Sequence, residues 1–180
     1  MRQQLTGRSQ RLPKQSLSLE EAIRRLYYHM LERTTSENYQ EQKKTYVGIS
    51  YFPGWESFEI FQSDIRKLHG YDNWGIHYLD PQQRNNPYEL DKDYLCIYYG
   101  YENKIYSPET ILLIRRELNI YMRDLENKYS QEEIRDWLIE FEFLDKLNEL
   151  EDLELLEELK GFINKKINTF DKKSTDFLIN

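Results

Sequence analysis

The residue types best suited to chemistry are concentrated in one segment, residues 88–119, which reads YELDKDYLCIYYGYENKIYSPETILLIRRELN. Within it, Lys92 stands between two acidic residues, Asp91 and Asp93. Carboxylate oxygens are the ligands that a hard ion such as Mg²⁺ requires, and a lysine ammonium can hold a phosphate group. The same charges, together with Lys104, could instead form an ion-pair cluster that only stabilises a hairpin. The residue types leave both interpretations open.

Other routes to catalysis find little support in the sequence. The chain shows no Ser/His/Asp or Cys/His constellation that would supply an activated nucleophile without a metal. A free lysine has a pKa of roughly 10.4, so Lys92 can act as a general base only if burial lowers its pKa. Cys96 is the single cysteine of the chain, which excludes an intramolecular disulfide and a multi-cysteine zinc site.

The elements around these charges predict a ββα unit. Apolar and aromatic residues alternate with acidic ones over residues 88–94, as they do in a half-buried strand. After a turn, the apolar run 111–114 predicts a second strand, and residues 115–119 begin a helix. In such a unit Asp91 ends the first strand and faces the start of the second. We therefore expect Asp91 and Thr110 to lie close together.

These motifs, in this order, resemble the HNH nuclease superfamily, in its phage-encoded homing-endonuclease-like branch. The matching elements of the ββα unit are Leu90-Asp91-Lys92-Asp93, Asn103-Lys104-Ile105-Tyr106-Ser107-Pro108-Glu109-Thr110, the apolar run 111–114 and the helix start 115–119. A second block upstream matches as Met30-Leu31-Glu32-Arg33, Tyr39, Tyr46-Val47-Gly48-Ile49 and Trp55-Glu56-Ser57-Phe58-Glu59-Ile60-Phe61. The resemblance spans about residues 22–125 and implies a nuclease ancestry.

The resemblance implies metal-dependent hydrolysis of phosphodiester bonds, in which one divalent ion, Mg²⁺ or Mn²⁺, activates the scissile phosphate and the leaving group. By position, Asp91 matches the metal-binding carboxylate of the first strand, and Lys92 stands where the family usually has its histidine general base. Asn103 matches the loop asparagine that orients the base. The further implied metal ligands are Thr110, which replaces the usual asparagine, its neighbour Glu109, and Asp93 on the same predicted strand face as Asp91.

Charge is distributed unevenly along a chain with 32 acidic and 25 basic residues, a formal net charge of −7. This balance counts against a general affinity for nucleic acid, whose binders are usually basic. For an enzyme acting on double-stranded DNA, the candidate phosphate contacts are Arg8 and Arg11 in the N-terminal tail, and Arg115 and Arg116. For a protein that instead binds a host or phage protein, the candidate contacts are Glu149, Glu151, Glu154 and Glu158 in an acidic C-terminal segment.

The rest of the chain is predicted to be largely helical. A capping box at Ser18 and Glu21 begins an amphipathic helix over residues 19–33, with Arg33 largely off its apolar stripe and solvated. Between this helix and the ββα unit we expect a loop at 34–44, a strand within 45–52, a helix at 55–68 and a strand at 74–79 that contains His77. Towards the C-terminus we expect helices from Ser130 onwards and over 149–168, with an inner face of Leu153, Leu156, Leu159, Phe162 and Ile163.

Together these patterns predict an α+β protein: a basic disordered tail (1–17), an HNH-like domain (18–128), an acidic helical extension (129–168) and a frayed tail (169–180). No apolar run is long enough to span a membrane and no secretory signal is recognisable. We therefore expect a soluble protein, without a membrane partner, in the cytoplasm of a cell that hosts a phage or mobile element.

Three functions are compatible with the sequence. The first, and our prediction, is a DNA endonuclease or nickase of HNH type. The second is a catalytically inactive derivative that binds a protein partner through its acidic helices, such as a phage inhibitor of a host defence nuclease. The third is a DNA-binding regulator that keeps the fold without the metal. Ancestry favours the first function, and charge favours the second.

Overall fold

The architecture comes from a computed structural model, which describes residues 18–80 and 86–176, with side chains up to residue 169. This part of the chain is α+β, as predicted, with helices predominating over four short strands. The helices are α1 Leu19–Thr35, α2 Glu37–Gln42, α3 Phe58–Ile65, α4 Tyr71–Leu79, α5 Asp93–Tyr99, α6 Arg116–Glu126, α7 Gln131–Glu140, α8 Phe143–Glu149 and α9 Asp152–Asp176. The strands are β1 Ser50–Tyr51, β2 Tyr88–Asp91, β3 Ile105–Tyr106 and β4 Leu112–Arg115, and short 3-10 turns span Lys44–Tyr46 and Pro53–Glu56.

The predicted pair of strands followed by a helix is present. β2 and β4 are antiparallel, with Tyr88 opposite Arg115 and Asp91 opposite Leu112, and α6 follows β4 directly. Their connection, however, contains helix α5 and strand β3, where we expected a plain loop. β3 pairs with β1 in parallel and so connects this unit to the N-terminal part of the chain.

The first strand is shorter than the alternation of residues predicted. β2 ends at Asp91, and the predicted strand position of Asp93 is wrong because Asp93 is the first residue of α5. The run from Tyr94 to Ile97 is buried on all its positions, which suits a short helix inside a core. Gly100 then ends α5 with a φ of 73°, a backbone conformation that residues other than glycine rarely adopt.

β4 separates two hydrophobic cores because its side chains alternate between its two faces. Leu113 belongs to an N-terminal core that α1, α3, α4 and β2 complete, with Trp55 and Phe61 among its largest members. Leu112 and Ile114 belong to a C-terminal core built from α5 to α9. Helices α7 to α9, the predicted acidic extension, therefore share one core with the ββα unit.

Strand β4 is also held at its ends by polar contacts. The N–H of Leu113 donates to the carbonyl of His69 at 3.0 Å, and a Cβ at Gly70 would lie 1.7 Å from the Leu113 carbonyl oxygen. Asp152, buried at the start of α9, accepts the N–H of Arg115 at 2.6 Å through its Oδ2. Its Oδ1 lies 3.7 Å from Nε2 of His69, so α9 contacts both the strand and the residue whose carbonyl accepts the N–H of Leu113.

Several local predictions are corrected by the fold. The predicted loop 34–44 contains α2, which Ser36 caps by accepting the N–H of Tyr39. The predicted strand 74–79 is the second half of α4, because the rings of Tyr71, Trp74 and Tyr78 follow the helical spacing and pack in sequence.

At the C-terminus, Leu153 is 46% exposed while Leu155 is buried, and α9 continues to Asp176 through most of the predicted frayed tail. The predicted tail 1–17 lies outside the described residues. Within the described ranges, no helix is long and apolar enough to cross a membrane.

Candidate functional site

A polar pocket of about 460 Å³ lies where the end of β2 and the start of α5 meet the outer face of α6. Arg33 of α1 and Tyr46 of the first 3-10 turn complete its wall on the N-terminal side. The lining residues are Arg33, Thr45, Tyr46, Glu89, Leu90, Asp91, Lys92, Asp93, Lys104, Tyr106, Asn119, Ile120, Arg123, Glu126 and Asn127. Most of these side chains are charged or can form hydrogen bonds, so the pocket is suited to a polar or ionic ligand.

Asp91 is the most constrained acid of this pocket. It is 2% exposed, and its Oδ2 accepts the N–H of Tyr94 at 3.2 Å in the first turn of α5. Its Oδ1 is buried and has no hydrogen-bond partner among the described residues. Burial and the nearby charge of Asp93 raise the pKa of Asp91 to about 7, so a proton is present on this group for part of the time at neutral pH.

Asp93 is instead held as a carboxylate by two lysines. Its Oδ1 lies 2.7 Å from Nζ of Lys92 and 2.8 Å from Nζ of Lys104, and Lys104 also pairs with Glu126. Burial alone would raise the pKa of Asp93, but the two ammonium groups outweigh it and the pKa is lowered. Of the ion-pair cluster that the sequence left open, Lys92, Asp93 and Lys104 are therefore paired, whereas Asp91 forms no ion pair in the part of the chain that the structure describes and Glu126 is the second acid.

Lys92 remains a cation despite its burial. Burial alone would lower its pKa, but the charge of Asp93 and the hydrogen bond to it raise the pKa above the ordinary value for lysine. Nζ of Lys92 also lies 5.6 Å from the ring centroid of Tyr46 and 5.5 Å from that of Tyr106. A permanently protonated amine cannot accept a proton, so Lys92 can hold an anion here but cannot serve as a general base.

Two guanidinium groups in the pocket have no acidic partner. Arg33 donates to the hydroxyl of Tyr106 at 3.4 Å, and its Cζ lies 5.5 Å from the ring centroid of Tyr46. In residues 18–80 and 86–169, no carboxylate lies within ion-pair distance of Arg33 or of Arg123 on α6. Both side chains are therefore free to pair with an anionic ligand.

The pocket unites three of the six residues that the resemblance assigned to catalysis and metal binding. Asp91, Lys92 and Asp93 line it, whereas Asn103, Glu109 and Thr110 are not among its lining residues. Asn103 and Glu109 are exposed on the segments before and after β3. The buried hydroxyl of Thr110 is used locally: it donates to the carbonyl of Ile105 at 2.6 Å and accepts the N–H of Ser107 at 3.0 Å.

The carboxylates of the pocket offer a divalent ion few free oxygens in this arrangement. Mg²⁺ is usually held by one or two carboxylates together with waters and phosphates. Here Asp91 offers one shielded oxygen, and Oδ1 of Asp93 already faces two ammonium groups. Over the described ranges, no group of three or more His, Cys, Asp or Glu side chains is arranged to hold a metal.

The candidate surface residues differ in how far their charges are already neutralised. Arg115 pairs with Glu117 at 3.1 Å and Arg116 with Glu89 at 2.6 Å, while Arg8 and Arg11 lie outside the described residues. Glu158 pairs with Lys146 at 2.6 Å. Of the four candidate acids, the other three, Glu149, Glu151 and Glu154, are exposed and have no cationic partner in the described part of the chain.

Sequence reasoning missed the two free arginines of the pocket. Arg33 was expected to be solvated, but it follows the fully buried Met30 by three residues and so lies on the same side of α1. That spacing is a signal in the sequence that could have predicted the position of Arg33. Arg123 belongs to a stripe on α6 with Asn119, Ile120 and Asn127, which only the position of the pocket distinguishes from an ordinary solvated face.

No protein-family model, no curated protein and no solved structure matches the chain. The HNH ancestry therefore stays a proposal that rests on the motifs quoted above.

Proposed function

We propose that this protein binds nucleic acid, with a backbone phosphate held in the pocket at the end of β2. The observation that carries the proposal is the pair of pocket guanidinium groups, Arg33 and Arg123, without an acidic partner in the described ranges. A guanidinium group offers a planar fork of donors that matches a phosphate, and a half-buried one is only weakly screened by salt.

The local charge of the pocket supports an anionic ligand although the whole chain is acidic. Asp93 and Glu126 are paired with Lys92 and Lys104, and Glu89 is paired with Arg116 outside the pocket. The remaining ionic groups are the two free arginines and Asp91, whose pKa of about 7 leaves it only partly charged. The field that a ligand meets is set by these nearby groups more than by the net charge of −7.

Equilibrium DNA binding as a function of salt tests this proposal. Arg33→Gln and Arg123→Gln should each weaken binding and reduce the slope of log K against log salt by about one, because each removes one phosphate contact. Arg25→Gln is the matched control, since Arg25 is an exposed arginine of α1 that does not line the pocket. Binding that is unchanged in both pocket variants would refute the proposal.

A second candidate is the metal-dependent DNA endonuclease or nickase that the HNH resemblance implies. The unpaired Oδ1 of Asp91 at the wall of the pocket favours it, since a buried carboxylate without a partner is one that a cation would satisfy. Plasmid nicking with Mg²⁺ or Mn²⁺ tests this candidate, beside Asp91→Ala and beside excess chelator. Nicking that survives either change excludes an HNH mechanism, and the absence of nicking with both metals leaves phosphate binding alone.

A third candidate is a protein that binds a basic host or phage protein through the surface at the α8–α9 junction. The acids Glu149, Glu151 and Glu154 are exposed there, and Leu153 among them is 46% exposed. Surface charge of this kind speeds the encounter with an oppositely charged partner. Charge reversal of the three acids to lysine should abolish recovery of such a partner from a host lysate, whereas Arg33→Gln should leave it intact.

A further inference from the structure

We infer that the pocket takes one unpaired nucleotide, with its phosphate against Arg33 and Lys92 and its base against the Ile120 side of α6. The inference rests on the proposed nucleic-acid binding and adds the class of substrate: single-stranded or locally unpaired nucleic acid, in preference to an intact duplex.

The first argument for a single unpaired nucleotide is the size and depth of the pocket. Its volume of about 460 Å³ falls in the range of about 300–1,000 Å³ that suits a ligand of the size of one nucleotide. Lys92 is only 6% exposed and Arg33 is half-buried, so a phosphate must enter the pocket to reach them. The backbone of an intact duplex is part of a broad rod with stacked bases, whereas a single strand can bend one nucleotide into a recess.

The second argument for a nucleotide is that one wall of the pocket is charged whereas the opposite wall is partly apolar. The inner wall, with Arg33, Lys92 and the hydroxyl of Tyr106, can donate hydrogen bonds, as a phosphate requires, and the carboxylate of Asp93 beside them is already paired with two lysines. The α6 wall instead presents Ile120, which is 39% exposed, and the exposed amide of Asn127. A nucleotide has the same division between a charged phosphate and a flat base with polar edges.

Two further residues that line the pocket, Arg123 and Asn119, can add contacts to the bound strand. Arg123 lies one helical turn after Ile120 on α6, is exposed and has no acidic partner in the described ranges. Its guanidinium group can stack on a base or pair with the next phosphate of the strand. Asn119 is fixed by donating to Glu89 at 3.1 Å, which leaves its own amide oxygen as an acceptor for a base edge.

The test compares one labelled oligonucleotide, single-stranded and annealed to its complement, by fluorescence anisotropy with the full chain in excess chelator. We expect about tenfold tighter binding of the single strand, from the stacking and edge contacts of one base. Ile120→Ala should reduce this preference several-fold, whereas Ile76→Ala, at an exposed isoleucine of α4 outside the pocket, should not. A deoxynucleoside 5′-monophosphate should compete better than inorganic phosphate, and Ile120→Ala should narrow the difference.

The outcomes separate this inference from the function on which it rests. Duplex binding as tight as single-strand binding, with both lost in Arg33→Gln, would keep the proposed function and overturn the inference. Binding to neither form would overturn both. If Arg33→Gln unfolds, Arg33→Lys takes its place, because lysine keeps the positive charge but lacks the planar fork of donors of a guanidinium group. Single-strand binding that is weaker by about threefold or more supports a phosphate bound at Arg33, and unchanged binding contradicts it.

Discussion

At the scale of single residues, the feature that most affects behaviour with pH is the buried carboxyl group of Asp91. It stands beside the carboxylate of Asp93, with one oxygen bound to a backbone N–H and the other without a partner in the described ranges. The sequence predicted that these two acids and Lys92 belong to one site, because they are contiguous. It did not predict that Arg33 joins them, since that contact depends on where α1 packs.

Asp91→Asn should make the protein more stable at about pH 8 than the wild type, and the advantage should vanish near pH 3, where Asp91 is protonated in the folded and the unfolded state alike. The folded-state pKa of Asp91 is about 7 against an ordinary value of 3.8, so the folded protein holds a proton that the unfolded chain releases. The wild type therefore loses stability as the pH rises from about 4 to about 7, by about 2 to 4 kcal/mol, whereas asparagine mimics the neutral acid at every pH. Urea unfolding at both pH values measures this. An equal difference at both values, or a similar trend in the control Asp124→Asn on the exposed face of α6, would contradict it.

At the scale of elements, what could be predicted depended on how local the determinants are. Helices α1 and α7 were predicted because their capping boxes, Ser18 with Glu21 and Ser130 with Glu133, lie within four residues of sequence. Helix α5 was missed because its aromatic residues favour strands and only its burial on all sides explains a helix. The contact of α9 with β4 through Asp152 joins residues far apart in sequence and leaves no local pattern.

Asp152→Ala should lower the free energy of unfolding by about 1–3 kcal/mol, because it leaves the partly buried N–H of Arg115 without its acceptor. Asp152→Asn should cost less, since the amide oxygen can still accept that N–H. Glu154→Ala is the matched control, at an exposed acid two residues further along α9. Urea denaturation of the three variants measures the order of their stabilities. Equal stabilities for Asp152→Ala and Glu154→Ala would show that this contact does not hold α9 to the sheet.

At the scale of the whole molecule, the two cores of the described residues share strand β4. β4 contributes Leu113 to the N-terminal core and Leu112 with Ile114 to the C-terminal core. The sequence shows these residues only as a continuous apolar run, because a strand that is buried on both faces has no alternation of apolar and polar residues. The boundary predicted at residue 128 follows the limit of the HNH resemblance, whereas the C-terminal core extends across that position.

A fragment that ends at residue 128 should therefore fail to fold on its own. Without α7 to α9, the apolar face of α6 at Leu118, Met122 and Leu125 loses its cover, and so does Tyr94, whose ring stacks on Phe143 at 4.8 Å. Each such side chain is worth about 1.5–3 kcal/mol when buried, so exposing four of them cancels much or all of a typical domain stability of about 5–15 kcal/mol. Circular dichroism and urea unfolding should show a broad, non-cooperative transition for the fragment and one sharp transition for the full chain. A sharp transition for the fragment, at a midpoint close to that of the full chain, would mean that the ββα unit is an independent domain and that the acidic helices are an addition to it.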